Sequence, residues 1–354
     1  MSVAMPSELA ELADIVRNTS APLCPQGGNS KAFYGRPVAA TPLSLAAYRG
    51  VIAYEPSELY LTARAGTPLV EIENLLAAQG QMLAWEPPAF PGATLGGSIA
   101  SGLSGPRRQR AGAARDFVLG VTLVDGRGEV LLFGGQVMKN VAGYDVSRFL
   151  VGSLGTLGVL AEITVKVLPR PAAEATLVFD LTQAEALTRL AGWGRQPWPI
   201  SASCWLEGRL LLRLSGARAA VDKAVACLGG SLWADAAGFW QSLRNQELPL
   251  FQQRPLWRLA VPVTTPALAW PERQALEWGG GLRWLAGDDW PAAEIRRVAQ
   301  AAGGHATLYR ADPDAPESEV FTPLAPALLA LQQRLKQRFD PRGILSPGRI
   351  YEGL

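Results

Sequence analysis

Apolar residues recur at helical spacing over residues 6–17, where Leu9, Leu12, Ile15 and Val16 share one face and Ser7 stands ready as N-cap. Two short β-favouring runs, 51–54 and 59–63, flank Glu55-Pro56-Ser57 and predict a pair of strands joined by a turn. Over 68–79, Leu69, Ile72, Leu75 and Leu76 mark an amphipathic helix that Gly80 stops. Runs at 117–124 and 129–133 surround Asp125-Gly126-Arg127-Gly128, a strong hairpin signal. A further strand over 159–167 ends at Pro169 and Pro171. Beyond residue 171 the pattern changes. Strands are expected over 175–180, 201–206, 209–214, 256–261, 282–285 and 305–310. Helices are expected over 182–191, 217–228, 236–245 and 292–302. Strands and helices mixed in this way predict an α+β layer, an antiparallel sheet with helices on one side. Residues 312–318 form a Pro- and acid-rich linker, followed by a helix over 326–339 with Leu328, Leu331, Leu335 and Phe339 as its stripe, and then a turn-rich tail. The division expected is 1–171, 172–325 and 326–354.

Three glycine-rich turns fall in the first division. The longest, PGATLGGSIASGLSG at 91–105, holds five glycines among small residues. Glycine lets a backbone approach a ligand closely. A run of exposed N–H groups, with a helix starting near Thr94, makes an anion-binding concavity. The same composition also suits a turn that only lets two elements pack closely. The first in chain order is Pro25-Gln26-Gly27-Gly28-Asn29-Ser30, in which Asn29 accepts the left-handed region, and 91–105 is the second. The third carries Gly152, Gly155 and Gly158 three apart. Neither GxGxxG nor GxxxxGK[ST] occurs, so a Rossmann dinucleotide site and a P-loop are both disfavoured. What fits is a large phosphate-bearing cofactor held by several separated loops, as a flavin dinucleotide lying extended would be. Arg107, Arg108, Arg110 and Arg115 follow closely; they could neutralise a diphosphate, pair with a partner protein or solvate a loop.

Composition narrows the options. With 354 residues and 48% hydrophobic content the chain can build two cores. The balance of 33 basic and 31 acidic residues argues against nucleic acid as a partner. No 18-residue apolar run and no basic-then-apolar leader is seen, so membrane insertion and secretion are not expected, and a cytoplasmic placement is. Cys24, Cys204 and Cys227 are scattered, suit a reducing compartment and make no iron–sulfur run. The single histidine, His305, argues against a zinc enzyme or a Ser–His–Asp hydrolase; no metal site is expected. Of eleven tryptophans only Trp85 precedes residue 190, and core filling is the expectation for most of the others.

The segments PQGGNSKAFYG, EPPAFPGATLGGSIASGLSGPRR, RDFVLGVTLVDGRGEVLLFGGQVMKNVAGYD and the terminal FDPRGILSPGR carry a specific resemblance. The chain resembles the FAD-binding subunits of bacterial glycolate oxidases, which belong to the vanillyl-alcohol-oxidase-like flavoproteins with a PCMH-type FAD domain. The likeness is dense from about residue 22 to 171 and returns at the tail. It implies a PCMH-type FAD-binding domain, a smaller α+β domain and a tail packing back on the FAD domain. Pro25, Gln26, Gly27, Gly28, Asn29 and Ser30 would form the first pyrophosphate loop, with Asn29 where related proteins often have glycine. Pro91, Ala93, Thr94, Leu95, Gly96 and Gly97, then Ser101, Gly102 and Gly105, would run past the pyrophosphate and ribityl chain. Gly152, Gly155, Gly158 and Val159 would line the adenine side. With no histidine in the FAD domain, the flavin would be held non-covalently. Lys139, Asn140, Tyr144 and Asp145 would lie near it, Lys139 stabilising negative charge on the reduced ring. The resemblance further implies oxidation of glycolate, or of D-lactate, to the 2-oxo acid, with a homologous flavin subunit and an iron–sulfur subunit as partners. No residue is singled out as catalytic. A lone histidine opening a strand suits a structural role, and the flavin of this subunit would relay electrons or serve structurally rather than be the main hydride acceptor.

Overall fold

The computed structural model describes residues 4–136, 144–268, 270, 273–312 and 319–354. Contacts divide the chain into two units, Met1–Leu103 with Ala113–Pro169 and Pro323–Leu354, and Ser104–Gly112 with Arg170–Thr322. The excursion at Ser104–Gly112 is not signalled by the hydrophobic pattern.

The first unit is built on a five-stranded antiparallel sheet, ordered Val51–Glu55, Tyr60–Arg64, Val159–Lys166, Val118–Val124, Val130–Gly134. The hairpin between the last two pairs Val124 with Val130. Asp125 makes the turn, its Oδ1 accepting the N–H groups of Arg127 at 2.8 Å and Glu129 at 2.9 Å. Helix Leu69–Ala78 buries Leu69, Ile72 and Leu76, while Leu75, expected on that face, is 37% exposed. The first helix runs Leu9–Asn18. Ser7 is not its cap: Glu8 holds that position, and the Ser7 N–H donates to the Glu11 carboxylate at 2.9 Å. A short parallel pair, Leu23–Gln26 with Thr41–Ser44, carries the first glycine-rich turn.

The tail returns to this pair. Leu23 N–H donates to Ile344 O at 2.7 Å, and Ser346 N–H donates to Leu23 O at 2.8 Å. Helix Pro326–Phe339 corrects the expected apolar stripe, because Leu328 is 53% and Leu331 44% exposed. Its buried residue is Lys336, whose Nζ meets Asp340 Oδ2 at 2.8 Å, Thr156 O at 2.8 Å and Leu345 O at 2.6 Å. A charge removed from water stays where carboxylate and carbonyl oxygens surround it, and this cluster clamps the tail.

The second unit is an eight-stranded antiparallel sheet, ordered Ser231–Leu232, Ala173–Asp180, Arg209–Gly216, Ile200–Leu206, Gln274–Glu277, Leu282–Ala286, Leu256–Ala260, His305–Arg310. Helices Gln183–Trp193 and Arg218–Leu228 cover one end of a face through Leu177, Phe179, Leu190, Leu212 and Val221. Helix Ala292–Ala301 packs through Ile295 and Ala299 on Trp257, Leu259 and Leu308. Helix Ala237–Asn245 departs from the one-sided expectation. Its Trp240 donates to Thr176 Oγ1 at 2.9 Å, and Thr176 alternates along its strand with the core residue Leu177. Strand Gln274–Glu277 lies inside the sheet yet carries no β-favouring pattern. Its polar ends are buried and bonded, Gln274 to Gln183 and Glu277 to the Trp284 indole, each at 2.7 Å. Trp205, Trp240, Trp257, Trp278 and Trp284 are all buried, as the core-filling expectation requires.

Candidate functional site

A cavity of about 220 Å³ opens in the first unit. Its wall is drawn from four places in the chain: residues 24–32, residues 94–101, the 154–160 turn, and Arg349 of the tail. Smaller apolar contributions come from Val38, Ala40, Leu45 and Ala65.

The glycines divide into two kinds. At Gly27 an added Cβ would lie 2.1 Å from Thr94 Oγ1, and at Gly28 it would lie 1.8 Å from Gly92 O. These two are glycine because the first and second turns pack tightly, Gly27 against the Thr94 side chain and Gly28 against the Gly92 backbone. Gly96 is similar, since its Cβ would meet Ala65 Cβ at 2.6 Å. Gly97 differs. Its Cβ would touch only Thr94 Oγ1, at 3.4 Å, and it lines the cavity. Close packing of the two turns and access to a ligand, the alternatives left open by the composition, are thus both present: all four glycines line the cavity, but only at Gly97 is there open space for a side chain.

Thr94 caps the seven-residue helix Leu95–Ser101, its Oγ1 accepting the Gly97 N–H at 3.2 Å. The helix ends on Gly102 at φ +64°. The third turn is tied to that end, with Gly152 N–H donating to Ile99 O at 3.0 Å and Leu154 N–H to Ala100 O at 2.9 Å. Asn29 takes φ +53°, the left-handed conformation that lets it stand in for glycine.

Arg349 holds the segment that follows the first turn. Its guanidinium donates to Arg36 O at 2.7 Å, Tyr34 O at 2.7 Å and Ala32 O at 2.8 Å. Burial lowers its pKa from the usual guanidinium range. The wall's other cation is Lys31. Its Nζ is sealed from solvent, has no hydrogen-bond partner, and stands 5.4 Å from the centroid of the Phe90 ring. Burial pushes its pKa down to about 8. No carboxylate is among the residues lining the cavity.

Pro25, Gln26, Gly27, Gly28, Asn29, Ser30, Thr94, Gly96, Gly97, Ser101, Gly155 and Gly158 all line this cavity. Pro91, Ala93, Leu95, Gly102, Gly152 and Val159 are not among its lining residues; Leu95 opens the helix Leu95–Ser101, Gly102 caps its end and Val159 opens a strand. Gly105 falls in the second unit, where its carbonyl accepts the Trp278 indole N–H at 3.0 Å. Lys139 and Asn140 lie outside the described residues. Tyr144 is 96% exposed, and Asp145 caps the turn Val146–Phe149 by accepting the Arg148 N–H. Lys31 and Arg349 are the functional candidates that sequence reasoning missed. The signal for Lys31 was present, a lysine directly after a Gly-Gly-Asn-Ser turn, but burial decides its importance.

The second unit gathers cations of its own. Arg107 is buried and pairs with Glu174 at 2.6 Å. Arg108 and Arg258 both stack on Trp278, 4.2 Å and 5.2 Å from its ring centroid. Partial desolvation, then Arg258, then Arg108 lower the pKa of His305, whose side chain still reaches solvent.

The walls suit a dinucleotide: backbone turns packed tightly, one face left without side chains at Gly97, and an amine with no counter-charge. Comparisons with known proteins agree. An FAD binding domain family matches residues 2–134, so the first unit carries an FAD-binding domain and FAD is its cofactor. Solved structures of alkyldihydroxyacetonephosphate synthase in two crystal forms share the fold, with TM-scores of 0.65 and 0.66 at 15% identity, covering 98% of this chain and 75% and 76% of theirs. Glycolate oxidase subunit GlcE of Escherichia coli is 48% identical over 339 residues, 94% of this chain and 93% of that protein. Glycolate oxidase subunit GlcD of Bacillus subtilis is 32% identical over 36% of this chain and 27% of its own length. D-2-hydroxyglutarate dehydrogenase of Xanthomonas citri is 30% identical over 54% of this chain and 41% of its own. The protein is thus a flavoprotein of the PCMH-type FAD-binding class. Within that class it belongs to the family of glycolate oxidase GlcE subunits.

Proposed function

We propose that this chain is the FAD-carrying subunit of a multi-subunit oxidoreductase that converts glycolate, or the related D-lactate, to the 2-oxo acid. The observation that carries the reading is the cavity whose wall combines tightly packed glycine turns, an open Gly97 and an uncompensated Lys31, inside an FAD-binding domain. Residues 25–30 and 94–97 would hold the diphosphate and ribityl chain with backbone N–H groups, and the 154–158 turn would cover the remaining side. FAD, when bound, supplies a two-electron acceptor. The chain's own residues bind and orient it and keep water from its diphosphate. The relay role rests on the scarcity of bases for the hydroxyl proton: the chain's one histidine, His305, belongs to the second unit. Electrons would leave to an iron–sulfur partner, with a homologous flavin subunit taking the hydride. Placement would be cytoplasmic, with any membrane contact made through partners; no described helix is long and apolar enough to cross a membrane.

The deciding experiment is the visible spectrum of the purified chain before and after anaerobic glycolate. Flavin bands that stay oxidised until the sister subunits are added support the relay. Bands that bleach with glycolate alone make this chain a self-sufficient dehydrogenase. Absence of flavin in both the chain and its complex overturns the cofactor reading and leaves an assembly role.

A further inference from the structure

We propose that Lys31 is the counter-charge to the diphosphate of the flavin nucleotide, and that binding the nucleotide draws a proton onto its amine. The inference rests on the cavity being the FAD site. Its basis is geometric. Lys31 immediately follows Ser30 of the first turn and lines the cavity. Among the described residues its Nζ is buried without a hydrogen-bond partner, and it lies over the Phe90 ring, 5.4 Å from the centroid. A buried ammonium with no acceptor is costly. Such a group persists where a ligand supplies the missing anion, and of FAD's parts the diphosphate is the anion.

The neighbouring groups leave that role to Lys31. Arg349, the other cation in the wall, already has its guanidinium donating to three backbone carbonyls. The remaining titratable group in the wall is the thiol of Cys24. The residues from the 38–45 segment, the helix Leu95–Ser101 and the 154–160 turn that line the cavity are uncharged, so among the described residues no carboxylate of the wall competes for the amine.

Without ligand, burial holds the Lys31 amine at a pKa of about 8. A diphosphate beside it favours the charged form and raises that value. At pH 7 the amine is already mostly protonated and binding takes up little proton. Above pH 8 binding must add one, so affinity falls. With the amine kept protonated in the complex across this range, the FAD Kd rises about tenfold between pH 7 and pH 9, and at pH 8.5 binding takes up about 0.8 proton.

The test is calorimetric titration of FAD, ADP and riboflavin into the flavin-stripped full chain, in buffers of different ionisation enthalpy, at pH 7, 8.5 and 9. A Cys24→Ala background removes the thiol, since thiols in general titrate in the same range. Wild-type protein is expected to show the proton uptake with FAD and ADP and none with riboflavin. Lys31→Met is expected to lose it, to bind FAD and ADP about tenfold to a hundredfold more weakly at pH 7, and to change riboflavin less than twofold. Lys31→Arg should keep tight FAD binding without the pH dependence. Apo Lys31→Met should melt no lower than wild type, because it removes an uncompensated buried charge. Equal FAD affinity in Lys31→Met, or a loss that includes riboflavin and the apo melting temperature, would overturn the assignment. Failure of wild-type protein to bind FAD at all would instead remove the flavin-site reading beneath it.

Discussion

Gly97 separates ligand binding from folding. A Cβ built there meets one atom within 4 Å, Thr94 Oγ1 at 3.4 Å, an ordinary contact. Gly97→Ala therefore fits the protein without its cofactor. It also replaces glycine inside the helix Leu95–Ser101, which favours the helical state by about 1 kcal/mol. The new methyl projects from a residue of the cavity wall. Intruding on a fitted contact costs about 1–3 kcal/mol, which weakens FAD about fivefold to 150-fold. Gly97→Val carries two further carbons into the same space and should fall at or beyond the upper end. The assay is flavin fluorescence quenching on the stripped chain, paired with thermal melting without and with FAD. The apo variants should melt at or slightly above wild type, while the stabilisation given by FAD shrinks as affinity falls. A Gly97→Val protein that binds FAD within twofold of wild type would refute both the placement of the cofactor and the argument from open space.

Gly28→Ala should behave oppositely. Its Cβ falls 1.8 Å from Gly92 O, so one of two backbones must move by more than about 1 Å. Urea unfolding should show a loss of about 1–3 kcal/mol together with loss of flavin; an apo protein of unchanged stability would contradict the contact. Lys336→Met leaves Asp340, 1% exposed, without its cation, and should destabilise the first unit by about 3–5 kcal/mol in urea. Adding Asp340→Asn should recover part of that loss, and no recovery would mean the pair is not coupled. His305 is the chain's one histidine, so its imidazole proton signal can be followed unambiguously by NMR. Its midpoint should lie below 6.5, and Arg258→Met should raise it. Because the folded value lies below the unfolded one, the stability that this group contributes is complete above about pH 6.5 and is lost as pH falls through the folded midpoint. A midpoint above 6.5 would contradict the cationic surroundings.

The parts of the fold legible in the sequence are those in which local chemistry and tertiary need coincide. Asp125 takes two backbone N–H groups in the turn that its Asp-Gly signal predicts. Thr182 and Glu185 close a capping box at the start of the helix Gln183–Trp193, matching the predicted helix. The misses share a cause. Ser7 is a good cap by type, but the chain enters the helix one residue later. The Leu328 and Leu331 stripe is a good core face by pattern, but the helix is anchored instead by a buried lysine, which no hydropathy pattern selects. Gln274–Glu277 reads as polar, and becomes an interior strand because the partners of Gln274 and Glu277 lie on other elements.

The cavity shows the same limit at finer grain. Glycine content pointed to the right turns, yet could not say which glycines face a ligand, because close backbone packing and ligand access ask for the same residue. Gly27 and Gly28 satisfy the first demand and Gly97 the second, and the distinction exists only once Thr94 and Gly92 are placed against them. Lys31 is the converse case, a common surface residue by type that becomes a site when its amine loses every acceptor. The turn bearing both Gly28 and Lys31 follows the strand Leu23–Gln26, and that strand is bonded to Ile344 and Ser346 of the tail. Residues more than 300 positions apart thus fix one loop. Flavin affinity should therefore respond to changes at Lys336 and Arg349 even where no cofactor atom is touched, because what those side chains hold is the position of Lys31 and the glycine turn before it.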